Sequence, residues 1–257
     1  MCELFGISAK RPIKTNEYLS EFFGRSKQHP DGWGLAVFRG HSVSLEKEPI
    51  MASKSAYLRG RLLYDIEAGN LIAHIRLATI GDMNYSNCHP FVWDDESGRS
   101  WTLVHNGTIF ENDIISPYFV NQEGSTDSEG VLLYIVDNIN QKIRKKKAEL
   151  SSAERFDVID KCVLKLSACG KLNLILFDGE TMYVHTNYKD SLYFQKSDEA
   201  YAFVTRPLSV GKWENLPMQR LFGYNDGVLA FEGSKHNHEY FDDNHDMSLI
   251  YLAYSQL

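Results

Sequence analysis

Two long amphipathic helical stretches lie side by side in the middle of this chain, with strand-forming runs before and after them, and that order limits the folds available. The first opens at Thr126-Asp127-Ser128-Glu129 and places Val131, Leu132, Ile135, Val136 and Ile139 on one face. Its basic end, 142–147 (KIRKKK), reads as a solvated last turn matched to the helix dipole. The second runs from about 153 to 168 and is stopped by Gly170. Upstream, strands are expected over 2–8, over 33–38 with a hairpin into 42–47, over 71–75 and over 101–105. Thr15-Asn16 precedes a short helix carrying Tyr18, Leu19, Phe22 and Phe23, and a second is expected from near Ser53 to Asn70. Downstream the pattern changes to period two over 172–177, 182–186, 192–195, 200–205 and 227–231, which reads as successive antiparallel strands. Each helix has one apolar face to bury, and the stable solution is an α+β sandwich in which helices cover stacked sheets.

A chain of 257 residues, 43% hydrophobic, can bury a sizeable core, and it reads as a single domain over 2–257 once Met1 is removed. Lys and Arg number 27 against 34 Asp and Glu, a net −7, so the chain has no overall attraction for phosphate backbones and nucleic acid is not an expected partner. No apolar run approaches a membrane span and the start lacks a secretory pattern, so no membrane partner and a cytoplasmic location are expected. Cys2, Cys88, Cys162 and Cys169 show no Cys-x-x-Cys spacing, which favours neither disulfides nor zinc. The polar group His236, His238, Asp242, Asp243 and His245 fits no tight metal spacing and reads as a loop, so neither metal nor organic cofactor is expected.

The chemistry starts at Cys2. A small residue after the initiator methionine permits its removal, which would place a thiol and a free α-amine on one residue. An α-amine titrates near pH ~8 and can take the thiol proton and later return it to a leaving amine. Asn106-Gly107, in the run LVHNGTI, can offer a side-chain and a backbone N–H to a developing oxyanion, although the same dipeptide suits a hairpin turn. Arg76 ends an apolar strand, where a guanidinium is costly unless it grips a carboxylate; a surface ion pair is the alternative. Asp127 can hold a substrate ammonium or merely help to open its helix. An arginine for an α-carboxylate and an aspartate for an α-ammonium together describe a free amino acid as small-molecule substrate.

These blocks resemble the class II glutamine amidotransferase domain of the N-terminal nucleophile hydrolases. The order matches through Cys2-Glu3-Leu4-Phe5-Gly6, His29-Pro30-Asp31-Gly32-Trp33-Gly34, His74-Ile75-Arg76-Leu77-Ala78-Thr79, His89-Pro90-Phe91, His105-Asn106-Gly107 and Thr126-Asp127-Ser128-Glu129. The resemblance implies a four-layer αββα fold, Cys2 as nucleophile, Asn106 and Gly107 as the oxyanion hole, and Arg76 and Asp127 as clamps on the two ends of glutamine. It puts Thr79, Thr126 and His89 at the pocket. Many synthase members carry Trp after the arginine and His-Gly after the threonine, whereas Leu77 and Ile80-Gly81 stand here, which implies a pocket open to other γ-glutamyl compounds. No synthase module is apparent, which leaves a separate acceptor subunit, a plain γ-glutamyl amide hydrolase, or a silent binding module.

Overall fold

The computed structural model describes residues 2–40, 42–78, 81–110 and 113–241. In chain order the strands are β1 Glu3–Lys14, β2 Trp33–Arg39, β3 Ser42–Glu48, β4 Glu67–Ile75, β5 Phe91–Asp94, β6 Ser100–Ile109, β7 Gly170–Phe177, β8 Thr181–His185, β9 Tyr193–Lys196, β10 Ala200–Val204, β11 Glu214–Asn215, β12 Phe222–Asn225 and β13 Val228–Glu232. The helices are α1 Asn16–Gly24, α2 Ala56–Leu62, α3 Asp127–Lys146 and α4 Ser152–Ser167. One sheet has the order β11-β9-β10-β1-β4-β2-β3 and the other β13-β12-β8-β7-β6-β5, with every paired strand antiparallel.

Strand alternation sorts the core into three layers of side chains. Phe5 and Ile7 of β1 pack outward against Leu19 and Phe22 of α1 and Leu58 of α2. Leu4, on the other face of β1, meets Ile72, Val104, Ile175 and Met182 between the sheets. Leu103 and Leu174 turn outward onto Val131 and Ile135 of α3 and Ile159 and Val163 of α4. The result is the expected αββα sandwich. Helix α4 begins with a reciprocal Ser151–Glu154 capping box, and α3 ends with Lys147 in the left-handed region at φ 61°.

Three local expectations change. Helix α2 stops at Leu62, and Asn70 lies inside β4, because residues 70–75 are needed between β1 and β2 to complete the sheet. Thr15 does not cap α1 with its side chain; its hydroxyl donates instead to the Ile66 carbonyl at 2.8 Å, tying the helix start to the entry of β4. The late strands are not one meander: β7 and β8 join one sheet, β9 to β11 cross to flank β1 in the other, and β12 and β13 return. Period-two patterning reports a half-buried strand and carries no information on which sheet it joins.

Candidate active site

Cys2 stands at the head of β1, where Glu3 pairs with Ile75 at the end of β4. Its Sγ donates to the Leu77 carbonyl at 3.3 Å and accepts from the Leu77 N–H at 3.4 Å. The next residue anchors the strand: the buried Glu3 carboxylate accepts from Arg25 at 3.5 Å and from Arg206, with His29 Nε2 at 3.6 Å. Burial pushes the Cys2 thiol up; the Leu77 contact and the Arg76 guanidinium pull it down, and the Asp127 carboxylate adds to the rise. The net effect is a raised pKa, which favours the neutral thiol.

The segment after β4 is held by its own main chain and by Asp31. Arg76 N–H donates to Gly32 O at 2.8 Å, Asp31 N–H donates to Arg76 O at 3.1 Å, and Asp31 Oδ2 accepts from Ala78 N–H at 2.7 Å. Arg76 is 2% exposed, and its Nη1 and Nη2 donate to the Asp82 and Gly81 carbonyls at 3.0 and 2.9 Å. The guanidinium thus shapes the 81–82 loop while its charge reaches the thiol. Asp127, the first residue of α3, accepts from Ile109 N–H at 2.7 Å through Oδ2; burial raises its pKa, against the lowering effects of His105 and of backbone N–H groups.

Asn106 and Gly107 lie inside β6, opposite Asn173 and Leu172, and make no hairpin turn. Leu172 directs its N–H to Asn187 Oδ1 at 2.8 Å and its carbonyl to His185 Nδ1 at 2.8 Å, so Gly107 and Leu172 form a non-hydrogen-bonded pair. The Gly107 N–H consequently leaves the strand on the same edge as that of Ile109, the edge that meets Asp127. Strand β5 pairs only with residues 100–103, which leaves this stretch of edge beyond its reach. The absence of a side chain at Gly107 has a packing cause: a Cβ there would stand 1.8 Å from Lys171 O and 2.5 Å from His105 Nε2. Gly107→Ala is expected to lower stability by about 1–3 kcal/mol, measured as a shift in the urea midpoint; an unchanged midpoint would show that the two strands can separate freely at this point.

Thr126 is the N-cap of α3 and accepts from Glu129 N–H at 3.4 Å, while the Glu129 carboxylate accepts from the N–H groups of Glu123 and Gly124. His89 is 4% exposed, stacked on His74 at 4.1 Å and edge-on to Phe91. Burial drives both imidazoles well below the ordinary histidine range. Thr79 lies outside the described residues, as do Asp242, Asp243 and His245 of the polar loop. Among the described residues no group of three or more His, Cys, Asp and Glu is placed to hold a metal, and no helix is long and apolar enough to cross a membrane.

Two residues that organise this site were given no role from the sequence. Asp31 sits in the matched block His29–Gly34, but its bond to Ala78 spans 47 residues; Asn87, fully buried, bridges the 81–82 and 124–125 loops. Side chains that act through bonds to distant backbone leave no local pattern.

Residues 1–202 match the family model described as "Glutamine amidotransferases class-II". A protein of Haemophilus influenzae named "Putative glutamine amidotransferase" is 34% identical over 191 residues, which is 72% of this chain and 63% of that relative's length. The chain is similar in fold to the "predicted glutamine amidotransferase" of Pseudomonas aeruginosa, with TM-score 0.66 and 22% identity over 89% of this chain and 99% of the other. It is also similar to the glutamine phosphoribosylpyrophosphate amidotransferase of B. subtilis, with TM-score 0.67 and 18% identity over 91% of this chain and 49% of the other. With a cysteine heading a central strand and the family model covering most of the sequence, the chain belongs to the class II glutamine amidotransferases.

Proposed function

We propose that this protein cleaves the γ-amide of glutamine or of a related γ-glutamyl compound, with Cys2 as an N-terminal nucleophile. The observation that carries the reading is the seat of Cys2 at the head of β1, its Sγ bonded to the main chain of Leu77, the residue that follows Arg76 at the end of β4. After loss of Met1, the Cys2 amine takes the thiol proton and Sγ attacks the γ-carbonyl carbon. The carbonyl oxygen becomes an oxyanion that accepts from the Asn106 carboxamide and the Gly107 N–H. Collapse breaks the C–N bond, the proton passes to the leaving ammonia or amine, and a γ-glutamyl thioester remains. Water hydrolyses the thioester to glutamate and regenerates the thiol.

Arg76 takes the substrate α-carboxylate and Asp127 the α-ammonium, with Thr79, Thr126 and His89 as further pocket residues in this reading. Leu77 in place of the synthase tryptophan favours γ-glutamyl compounds other than free glutamine. Released ammonia passes to a separate acceptor subunit or to solvent. Asp127→Asn preserves size and the acceptor for Ile109 N–H but removes the charge, so KM for a γ-glutamyl substrate should rise about 10–100-fold, the loss of one charge-assisted contact. Ammonia or amine release from a panel of γ-glutamyl compounds reads this; a KM unchanged by Asp127→Asn for every member of the panel would remove Asp127 from substrate recognition.

A further inference from the structure

Asn87 joins the two loops that surround the substrate clamps. It sits at the end of a short helical turn, Tyr85–Asn87, and is fully buried. Its Nδ2 donates to the Asp82 carbonyl at 3.0 Å and to Ser125 Oγ at 3.2 Å, and its Oδ1 accepts from Ser125 N–H at 2.8 Å. Asp82 O is also an acceptor for Arg76 Nη1, and Ser125 lies two residues before Asp127. One carboxamide therefore grips the loop on Arg76 and the loop that leads into the helix bearing Asp127.

Two glycines close around that carboxamide. A Cβ at Gly124 would come within 2.3 Å of Asn87 Oδ1, and one at Gly81 within 2.8 Å of both Asn87 Nδ2 and Ser125 Oγ. Gly81 has φ +81°, so a side chain there is also strained by its backbone, whereas Gly124 has no positive φ and is constrained by space alone. The three hydrogen bonds use three different polar positions of the side chain, its oxygen and both amide hydrogens, in a geometry that an aspartate, which donates nothing when ionised, cannot reproduce.

We infer that Asn87 is a positioning residue that fixes the distance between Arg76 and Asp127, and so sets how well the site matches the α-carboxylate and α-ammonium of one substrate. The inference rests on the function proposed above and makes it more specific: recognition of the amino-acid end depends on one buried carboxamide that touches neither the substrate nor the nucleophile. A loop freed from Asn87 leaves each clamp present but misplaced, and a displacement on the order of 1 Å lowers productive binding before it affects the thiol.

The test compares Asn87→Ala and Gly124→Ala with the wild-type chain by two measurements. Hydrogen exchange follows the backbone amides of 81–84 and 123–126, and both segments are expected to exchange faster in both variants, while β1 and β6 keep their protection. Steady-state kinetics with the best γ-glutamyl substrate should show KM raised at least 10-fold with kcat within about 3-fold, and alkylation of Cys2 by iodoacetamide, which has no amino-acid end, should proceed at the wild-type rate. Faster exchange in only one of the two loops would overturn the coupling, and a fall in kcat or in alkylation at constant KM would assign Asn87 to the nucleophile or the fold instead. A wild-type chain that turns over no γ-glutamyl compound would refute the proposed function, and the exchange pattern would still decide whether Asn87 couples the loops.

Discussion

Replacing Cys2 by alanine is expected to reduce γ-glutamyl amide cleavage by at least about 10,000-fold, because no other group supplies the covalent intermediate. The substitution removes one sulfur whose hydrogen bonds among the described residues go to the Leu77 main chain, so the folded structure should persist. A melting temperature within a few degrees of wild type would show that the loss is chemical. The companion variant inserts one residue between Met1 and Cys2 so that processing leaves the thiol without its own α-amine. Burial keeps the thiol pKa high, so without that amine the thiol stays protonated near neutral pH, and activity should fall toward the Cys2→Ala level. Equal turnover by wild type and Cys2→Ala would remove Cys2 from the mechanism. Full turnover by the extended chain would leave a cysteine mechanism with a different base.

Acidification should unfold this protein steeply below about pH 6, the second large effect. His74 and His89 are held well below the ordinary histidine range by burial, His105 is lowered by the same cause, and His185 is pushed to about 3. His105 donates through Nε2 to the Lys171 carbonyl and so accepts from Ser128 at Nδ1, while His185 donates through Nδ1 to Leu172 O. Both have hydrogen bonds that suit the neutral ring. The unfolded chain takes up these four protons near pH ~6.5 and the folded chain does not. Stability is therefore complete above that pH and is lost as pH falls toward the folded pKa values, at up to about 1.4 kcal/mol per pH unit for each histidine. Four together approach roughly 5–6 kcal/mol per pH unit, comparable with a typical total stability of about 5–15 kcal/mol. Asp127 and Asp160 act in the opposite sense, because burial raises their pKa and lets the folded state bind a proton first, but they are two groups against four histidines. Urea midpoints should hold from pH 7.5 to about 6.5 and fall from there to pH 5; a flat profile throughout would mean that these rings are already charged or hydrated in the folded protein.

The two experiments probe different parts of the same architecture. Cys2 lies where β1 begins beside the end of β4, and the next residues along lead to the Glu3 anchor and, opposite Leu4, to His74 of the His74–His89 stack. Rigid, dry surroundings of this kind hold a nucleophile in one place, and neutral buried imidazoles are what make them sensitive to acid.

Much of the fold was legible along the chain. Helices α3 and α4 matched their apolar periodicity within a residue or two at each end, since amphipathic helices of this length are determined locally by periodicity and caps. Strands on both sides of those helices gave a layered α+β sandwich, and the family resemblance specified it as αββα. Asn70 could not be placed in the same way, because β4 is a strand only by virtue of β1 and β2 on either side of it. Asn106-Gly107 was equally ambiguous: the dipeptide suits a turn, and only the pairing with β7 makes it extended.

The sequence by itself determined the chemical inventory: a cysteine able to become the N-terminus, an arginine at a strand end, an aspartate at a helix start, and Asn-Gly in the right order to mark the family. These are properties of residue types and spacing, which need no third dimension. Only the tertiary structure decided that Arg76 holds a loop, that Gly107 is glycine because Lys171 approaches it, that the late strands divide between two sheets, and that Asn87 joins the loops at 82 and 125. Three of the four depend on contact between segments far apart in the chain, and the energy of such a contact belongs to the pair, so neither segment's own sequence can reveal it; Arg76 reaches carbonyls only five and six residues on, but the loop that presents them is tied to Ser125 through Asn87.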